Sequence, residues 1–200
     1  MLLAVGPQLI SVQPNYGDVI SDGTISDVAP RELTFVFDEN QVIDPSTLDG
    51  IQITRAGFDN TFDGVTDVLV QPGYIGVDVD RPNEVIVRFA SALPDDVYRI
   101  EIFGIDDPGQ GIIALRNVLG DAYQPDSADA DRTTLNFELD LGAQVVGVVP
   151  QPIERQEDGS LAQARDEIHV YFNEDDLSTV SATNPTFYRL VCVNESVTNT

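Results

Sequence analysis

The sequence contains no lysine and no tryptophan, and it has one histidine, one methionine and one cysteine. A single cysteine, Cys192, excludes an internal disulfide. The sequence has 10 basic residues, all arginine, and 34 acidic residues, so the formal net charge is −24. Such a surface repels phosphate groups and anionic lipid headgroups, and we therefore expect neither nucleic acid nor an anionic membrane among the partners.

Long hydrophobic runs are also missing. No apolar stretch approaches the roughly 20 residues that a membrane-spanning helix needs, so we expect no membrane insertion. The opening residues Met1–Val5 are too short and uncharged for a secretory signal. We expect the chain to be a piece of a longer protein whose export signal lies elsewhere. The apolar content of 42% is sufficient for a packed core.

The clearest pattern is the stretch Arg31–Asn40, in which apolar residues alternate and then give way to an acidic turn. Leu33, Phe35 and Phe37 occupy one face of a strand, which is the period expected of a half-buried strand. Similar alternation predicts eight short strands: Gln8–Gln13, Arg31–Phe37, Ile51–Thr54, Asp67–Gln71, Tyr74–Val79, Glu84–Phe89, Val97–Phe103 and Thr133–Leu141. Ile10 and Val12 are expected to share one face of the first strand. Short alternating strands separated by turn residues predict an all-β, antiparallel β-sandwich.

Helical signals are short. Asp44 can cap a helical turn that begins at Pro45, because proline suits the first position of a helix. The segment Gly104–Arg132 is rich in Asp, Gly and Pro, and we expect it to be an elaborated surface loop.

The chain repeats itself at an offset of about 136 residues. Gln8–Pro14 matches Gln144–Pro150, Asp22-Gly23 matches Asp158-Gly159, Phe37 matches Phe172, and Asp44-Pro45 matches Asn184-Pro185. The offsets of these matches run from 135 to 140 residues, and a nearly constant period is typical of tandem modules. We predict one module over residues 6–141 and an incomplete second module over residues 142–200, whose apolar face would lack a covering sheet.

Module one resembles the bacterial Ig-like domain of the SbsA type, first associated with surface-layer proteins. The residues that carry the resemblance are Pro14, Asp22-Gly23, Leu33–Glu39, Asp44–Leu48, Leu93–Ile100 and Leu115–Asp121. In the last motif Asn117 stands where the family has Asp, and Asp121 stands where it has Asn. The chain departs from the family in the extra residues of Arg55–Val68 and Gly104–Arg132.

The resemblance implies an Ig-like sandwich in tandem, as in acidic modules of large exported proteins of marine bacteria. It implies a structural or adhesive role at the cell surface or outside the cell, rather than a reaction. Neighbouring Ig-like modules of the same chain are then the expected partners, with a glycan or a surface protein as further partners.

The loop Phe58–Asp67 is one candidate metal site. Asp59, Asp63 and Asp67 fall at positions one, five and nine of an EF-hand-like spacing, but Thr61 at position three and Val70 at position twelve do not fit the ligand pattern. An EF-hand is therefore rejected. The remaining interpretations are an irregular Ca²⁺ loop and an ordinary solvated hairpin turn, and no cofactor is required.

Asp38, Glu39 and Asn40 form a second acidic cluster at a strand end, repeated by Asn173, Glu174 and Asp175. Such clusters bind Ca²⁺ between modules in some arrays, and in others they only blunt a sheet edge. Both interpretations stay open at this point.

Residues suited to catalysis are sparse. His169 alternates with apolar neighbours and is expected to face away from the core, with no nucleophile motif to serve it. Tyr98 is expected either to tie its hydroxyl to nearby backbone, as in the tyrosine corner of Ig-like sandwiches, or to be a plain core residue. We therefore expect no enzyme activity.

The sequence predicts a non-catalytic spacer module, stiffened by Ca²⁺ if an acidic cluster binds it. A carbohydrate- or protein-binding module that uses loops 55–68 and 104–132 is the alternative. A fragment of an enzyme whose catalytic groups lie outside this chain is a third interpretation.

Overall fold

The computed structural model describes residues 5–15, 17–125, 131–143, 145–164, 167–173 and 177–189. Contacts between Cα atoms divide the chain into two compact units, Met1–Leu141 and Gly142–Thr200. None of the helices among the described residues is long and apolar enough to cross a membrane.

Nine strands and one 3₁₀ helix, Pro45–Gly50, occur among the described residues of the first unit. The strands are β1 Leu9–Pro14, β2 Thr24–Ser26, β3 Glu32–Phe37, β4 Ile51–Arg55, β5 Val68–Leu69, β6 Tyr74–Val77, β7 Glu84–Arg88, β8 Asp96–Phe103 and β9 Arg132–Leu139. One sheet has the order β1-β3-β7-β6, and the other has the order β2-β9-β8-β4-β5. The all-β prediction is confirmed. Pairing is antiparallel except between β2 and β9, which run parallel.

One hydrophobic core contains residues from both sheets of the first unit. Phe35 on β3, Val85 on β7, and Ile100 and Ile102 on β8 are all fully buried. Apolar residues alternate on β3 and β8 because only one face of each strand contacts the core. Each such side chain contributes about 1.5–3 kcal/mol when it is buried.

The face predicted for the first strand is wrong at Ile10. Val12 is fully buried, whereas Ile10 is 64% exposed. Leu9 lies opposite Phe37 and Ser11 lies opposite Val36, so the register shifts between these pairs and Ile10 is the extra residue of a β-bulge. The extra residue of a bulge shifts the alternation of inward and outward side chains by one position, and a sequence pattern alone does not reveal this shift.

The segment Gly104–Arg132 is not wholly a surface loop. Leu115 is fully buried and Tyr123 is only 2% exposed, and both belong to the core. Backbone hydrogen bonds attach this segment to β8 and to itself, from Leu115 N to Phe103 O and from Tyr123 N to Leu115 O. The surface-loop prediction is therefore wrong for residues 114, 115 and 123, whose apolar side chains are buried, whereas residues 118–120 are exposed.

In the second unit, the described residues 142–143, 145–164, 167–173 and 177–189 form four strands, one helical turn and a 3₁₀ helix. The strands are β10 Val145–Pro150, β11 Ile153–Arg155, β12 Leu161–Gln163 and β13 Ile168–Phe172, with α1 at Thr179–Ala182 and the 3₁₀ helix at Pro185–Phe187. They form two separate two-stranded sheets, β10-β13 and β11-β12. Two-stranded sheets are marginally stable on their own.

Candidate functional site

Asp59, the first predicted metal ligand, lies in the loop between β4 and β5 and accepts hydrogen bonds from other residues of that loop. Asp59 Oδ1 accepts hydrogen bonds from Thr66 Oγ1 at 2.6 Å and from the backbone N–H of Thr61 at 3.1 Å. These two donors stabilise the carboxylate and lower the pKa of Asp59 from its ordinary value. The Asp59 carboxylate thus stabilises the conformation of the loop in which it lies.

The other two predicted metal residues of this loop lie in different surroundings. Asp63 is exposed, and its Oδ1 accepts from the backbone N–H of Val65 at 2.8 Å. Asp67 is half-buried, and its Oδ1 is enclosed without a hydrogen-bond partner. Among the described residues, no group of three or more His, Cys, Asp or Glu side chains is arranged to hold a metal ion. Calcium binding by Asp59, Asp63 and Asp67 stays a prediction.

The acidic turn after β3 is tied to its own unit. Asp38 Oδ1 accepts from the backbone N–H of Gln8 at 2.7 Å, and Asp38 Oδ2 accepts from Gln41 Nε2 at 3.3 Å. Glu39 is exposed, and Asn40 adopts a left-handed backbone conformation with φ of 71°. These bonds anchor the end of β3 to the residue before β1. In the repeated cluster Asn173 is exposed, and Glu174 and Asp175 lie outside the described residues.

A buried carboxylate that the sequence did not single out lies under the same loop. The side chain of Asp96, at the start of β8, is only 4% exposed. Its oxygens accept from the backbone N–H groups of Gly57, at 3.0 and 3.2 Å, and of Val97 at 2.8 Å. Arg55 lies 3.6 Å away and supplies the compensating charge. The Asp-Asp pair immediately before an alternating strand was the available signal.

Two apolar side chains of this loop are exposed on its surface. Phe58 is 90% exposed and Val65 is 78% exposed. Both residues border an open groove of about 550 Å³ that Arg55 and Asn60 also line. Phe62 lies beneath Arg99, with 3.9 Å between the guanidinium carbon and the ring centre, which is a cation–π contact. An exposed ring beside polar groups can contact the flat apolar face of a ligand.

The second predicted contact loop is rigidly bonded where the structure describes it. Asn117 is buried, and its Oδ1 accepts from the backbone N–H groups of Leu119 at 3.0 Å and Asp121 at 2.9 Å. Asp106 accepts from the backbone N–H of Ala114 at 2.7 Å, which lowers its pKa, and it pairs with Arg116 at 2.8 Å. These side chains shape a turn, and residues 126–130 of the segment lie outside the described residues.

Tyr98 and His169 occupy structural and surface positions. Tyr98 is fully buried, and its hydroxyl donates to the carbonyl oxygen of Pro94 at 2.8 Å, so the predicted backbone tie is confirmed. His169 is exposed, with its Nε2 3.1 Å from Glu167 Oε1 and its ring stacked near Tyr171. Cys192 lies outside the described residues.

Comparisons with known proteins give distant structural neighbours only. No protein-family model and no curated protein matches the chain. The copper resistance protein PcoC of Escherichia coli, described as methionine-rich, is 18% identical over 68% of this chain and 99% of its own, with a TM-score of 0.38. The N-terminal part of the bacterial S-layer protein SbsC is 13% identical over 80% of this chain and 33% of its own, with a TM-score of 0.37. A longer SbsC structure is 14% identical over 79% of this chain and 19% of its own, with a TM-score of 0.38.

These identities and TM-scores are too low to show a common fold or function. The chain spans a third or less of the S-layer structures that it resembles. Solved structures that resemble this chain thus include parts of a bacterial S-layer protein and a copper resistance protein.

Proposed function

We propose that the chain is a non-catalytic structural segment of a large exported or cell-surface bacterial protein, built from Ig-like β-sandwiches in tandem. In this proposal each sandwich is a spacer, and neighbouring modules of the same polypeptide are its partners. The acidic exterior keeps the array hydrated, and its modules repel one another, because the chain has 34 acidic residues and only 10 basic ones.

The repeated register of the first two paired strands carries the proposal. In the first unit Val12 lies opposite Phe35, and in the second unit Val148 lies opposite Val170. The register shift between Leu9 and Ser11 recurs between the residues 136 positions later, Val145 and Gly147. A bulge is an irregularity that unrelated strand pairs have no reason to share at the same place. Its recurrence supports two copies of one module.

Two turns strengthen the parallel between the units. Asp44 Oδ1 accepts from the backbone N–H of Ser46 at 2.9 Å at the start of one 3₁₀ helix, and Asn184 Oδ1 accepts from Thr186 N at 3.0 Å at the start of the other. Gly23 and Gly159 both have φ near +80°. Glycine is favoured at this left-handed conformation because it has no Cβ.

A sandwich interpretation of the first unit is supported by its shared core and by Tyr98. The core joins residues of both sheets, and the ring of Tyr98 stacks on Phe137 with 5.1 Å between ring centres. The Tyr98 hydroxyl donates its hydrogen bond to Pro94 O near the start of β8, a strand in the middle of its sheet. A tyrosine corner makes a similar bond from the tyrosine hydroxyl to nearby backbone. The shared core joins the two sheets, whereas Tyr98 and Phe137 lie opposite each other on neighbouring strands of one sheet and fix the start of β8 within it.

Force spectroscopy tests the spacer role. The full chain is placed between mechanical handles and pulled. A folded spacer over residues 6–141 should unfold in one event that adds roughly 490 Å of contour length, at about 3.6 Å per residue. Gradual extension without a discrete event would contradict a mechanical role. Tyr98→Phe should lower the unfolding force without changing the added length.

A binding module is the second candidate, because Phe58 and Val65 are exposed beside the groove on loop 55–68. A glycan or a surface protein would be the ligand. A glycan array probed with the full chain and with Phe58→Ala distinguishes the two roles. Binding that Phe58→Ala abolishes, with an unchanged melting temperature, would favour the binding module. The spacer proposal predicts no binding to lose.

A further inference from the structure

Among the residues that the structure describes, no second sheet packs on the apolar face of the β10–β13 sheet. Val145, Val148, Ile168, Val170 and Phe172 line an open groove of about 780 Å³ and are called the 145–172 face below. Val145 is 54% exposed, Val148 is 60% exposed and Ile168 is 45% exposed. Phe187 and Tyr188 extend the groove from the 3₁₀ helix that follows. A contiguous apolar surface of this kind marks a contact that another element makes.

The first unit contains the same face in a covered state. The residues at equivalent register are Leu9, Val12, Leu33, Phe35 and Phe37, of which Leu9 is half-buried and the other four are at most 1% exposed. The core that encloses them includes Ile53 of β4, Ile100 and Ile102 of β8, and Phe137 of β9. A second sheet therefore covers this face wherever the structure shows it buried.

The 3₁₀ helices show the same contrast. Leu48 in the first unit is 6% exposed and belongs to the core, whereas Tyr188, at the matching position 140 residues later, is 44% exposed. The helix is present in both units with the same capping bond, so its position alone does not bury the side chain. In the first unit Leu48 shares its core with Ile53 of β4 and Ile100 of β8, which belong to the second sheet.

We infer that the 145–172 face is the docking surface for a second antiparallel sheet with the inward residues of β4, β8 and β9. The occupant is the second-sheet half of a module of this same kind, and its docking completes a sandwich like the first unit. This inference rests on the proposed tandem repeat, since it treats β10 and β13 as copies of β1 and β3.

The acidic composition argues against a second copy of this chain as the occupant. Two chains that each carry a net charge of −24 repel one another, and face-to-face pairing would bring them close. A covering sheet within the same polypeptide can pack on this face without the electrostatic repulsion between two separate chains. The inner face that it must present is the alternation of β8, where Tyr98, Ile100 and Ile102 are all fully buried.

The test supplies such a sheet within one polypeptide. Residues 1–188 of this chain are followed directly by a copy of residues 49–141, at the junction that the repeat defines. Hydrogen exchange is then measured on peptides that cover 145–150 and 168–172. We expect exchange to slow by on the order of a hundredfold or more relative to the 200-residue chain, because the sheet can then open only with its core.

A matched control carries Val170→Asp in the extended chain. The buried carboxylate should prevent docking, so the 145–172 peptides should exchange rapidly again while peptides from the first unit stay protected. If the extended chain protects its first unit but leaves residues 145–172 unprotected, the inference is overturned. The spacer role of the first unit, tested by its own unfolding event, is not affected by that outcome.

Dye binding by the 200-residue chain gives a readout that needs no extension. A hydrophobic fluorescent dye should bind the 145–172 face, and Val170→Asp should remove most of the signal. Val146→Asp is the control, since Val146 is 65% exposed and does not line the groove. An unchanged signal in Val170→Asp would overturn the inference. A dimeric 200-residue chain with protected 145–172 peptides would also overturn it, by assigning the face to a second copy.

Discussion

Tyr98 donates its hydroxyl hydrogen to the carbonyl oxygen of Pro94, 2.8 Å away and four residues earlier in the chain. Burial of the phenol raises its pKa well above the ordinary value, so the hydroxyl stays a donor at all working pH values. The bond joins the start of β8 to the turn before it, where the chain enters the core.

Removing this hydroxyl should weaken the first unit. Tyr98→Phe leaves the Pro94 carbonyl without its donor, and we expect a loss of about 1–2 kcal/mol in the free energy of unfolding. Urea denaturation measures it. Tyr74→Phe is the control, because Tyr74 is 46% exposed and should change stability very little. Equal effects of the two variants would contradict the role given to Tyr98.

Asp96 should be the most sensitive carboxylate of the first unit. Asp96→Ala removes the acceptor for Gly57 N and Val97 N, and we expect a loss of about 3 kcal/mol. Arg55→Ala should cost less than about 1 kcal/mol, because that side chain is 37% exposed and lies 3.6 Å from the carboxylate. Urea denaturation of both variants checks the order. A larger loss for Arg55→Ala would mean that the charge pair, and not the backbone bonds, fixes the loop.

The capping bond of Asp44 gives a pH dependence with a defined sign. The backbone N–H and side-chain hydroxyl of Ser46 donate to Asp44 and lower its pKa below the ordinary value. A lowered folded-state pKa stabilises the protein above the unfolded pKa, about 3.9 for Asp, and the contribution is lost as the pH falls through the folded value.

Asp44→Ala should therefore be less stable than the parent chain at pH 7, and this difference should shrink below about pH 4. Thermal melts in moderate salt, which screens the general repulsion of the acidic surface, measure the difference. Asp49→Ala, in an exposed position of the same 3₁₀ helix, is the control. A stability difference for Asp44→Ala that stays constant down to pH 2 would contradict the prediction.

Gly50 lies where the 3₁₀ helix meets the segment that completes the core. A Cβ at this position would lie 2.5 Å from Leu115 N and 2.8 Å from Ile113 O. Gly50→Ala should lower the free energy of unfolding by about 1–3 kcal/mol, because backbone must move. Gly109→Ala should be tolerated better, since its nearest neighbour is the exposed Asp107 carboxylate at 3.2 Å. The same urea series compares them, and equal tolerance would show that residues 113–115 do not pack as described.

The two interpretations of the loop Phe58–Asp67 give different responses to calcium: the solvated turn predicts no specific effect on stability, and the irregular Ca²⁺ loop predicts a higher melting temperature. A ligand that binds the native state must raise the melting temperature by mass action. The carboxylate of Asp59 already accepts two turn hydrogen bonds, and for a solvated turn we expect Ca²⁺ and Mg²⁺ at equal concentration to give the same midpoint, with chelator as baseline. A rise specific to Ca²⁺, lost in the triple variant Asp59→Ala, Asp63→Ala, Asp67→Ala, would establish the predicted site.

Alternation of apolar residues predicted the strands because each strand has one buried face. The strand β2 was missed, since Thr24–Ser26 has only three residues, and its partner β9 lies more than a hundred residues away. The strand predicted over Tyr74–Val79 is two residues too long, since β6 ends at Val77 and Val79 is 96% exposed. Patterns show where a strand lies, but they do not show a bulge or the last paired residue.

The candidate site was harder to predict than the strands. The spacing of acidic residues predicts Asp59 and Asp63 as metal ligands. In the structure one carboxylate oxygen of each accepts a backbone hydrogen bond within its turn, and spacing alone does not distinguish this role from metal binding. Asp96 was missed because a buried carboxylate looks like any other acid in a sequence with 34 of them. Its partners, Arg55 at the end of β4 and Gly57 in the loop that follows, are distant from it in the chain.

Cross-strand nuclear Overhauser effects in the full chain test the repeat most directly. The account predicts contacts between opposed residues in both units, Val12 with Phe35 and Val148 with Val170. A spectrum in which Val148 contacts His169 or Tyr171 as its direct partner would place the second unit in a different register. That result would contradict the claim that the chain builds one module twice.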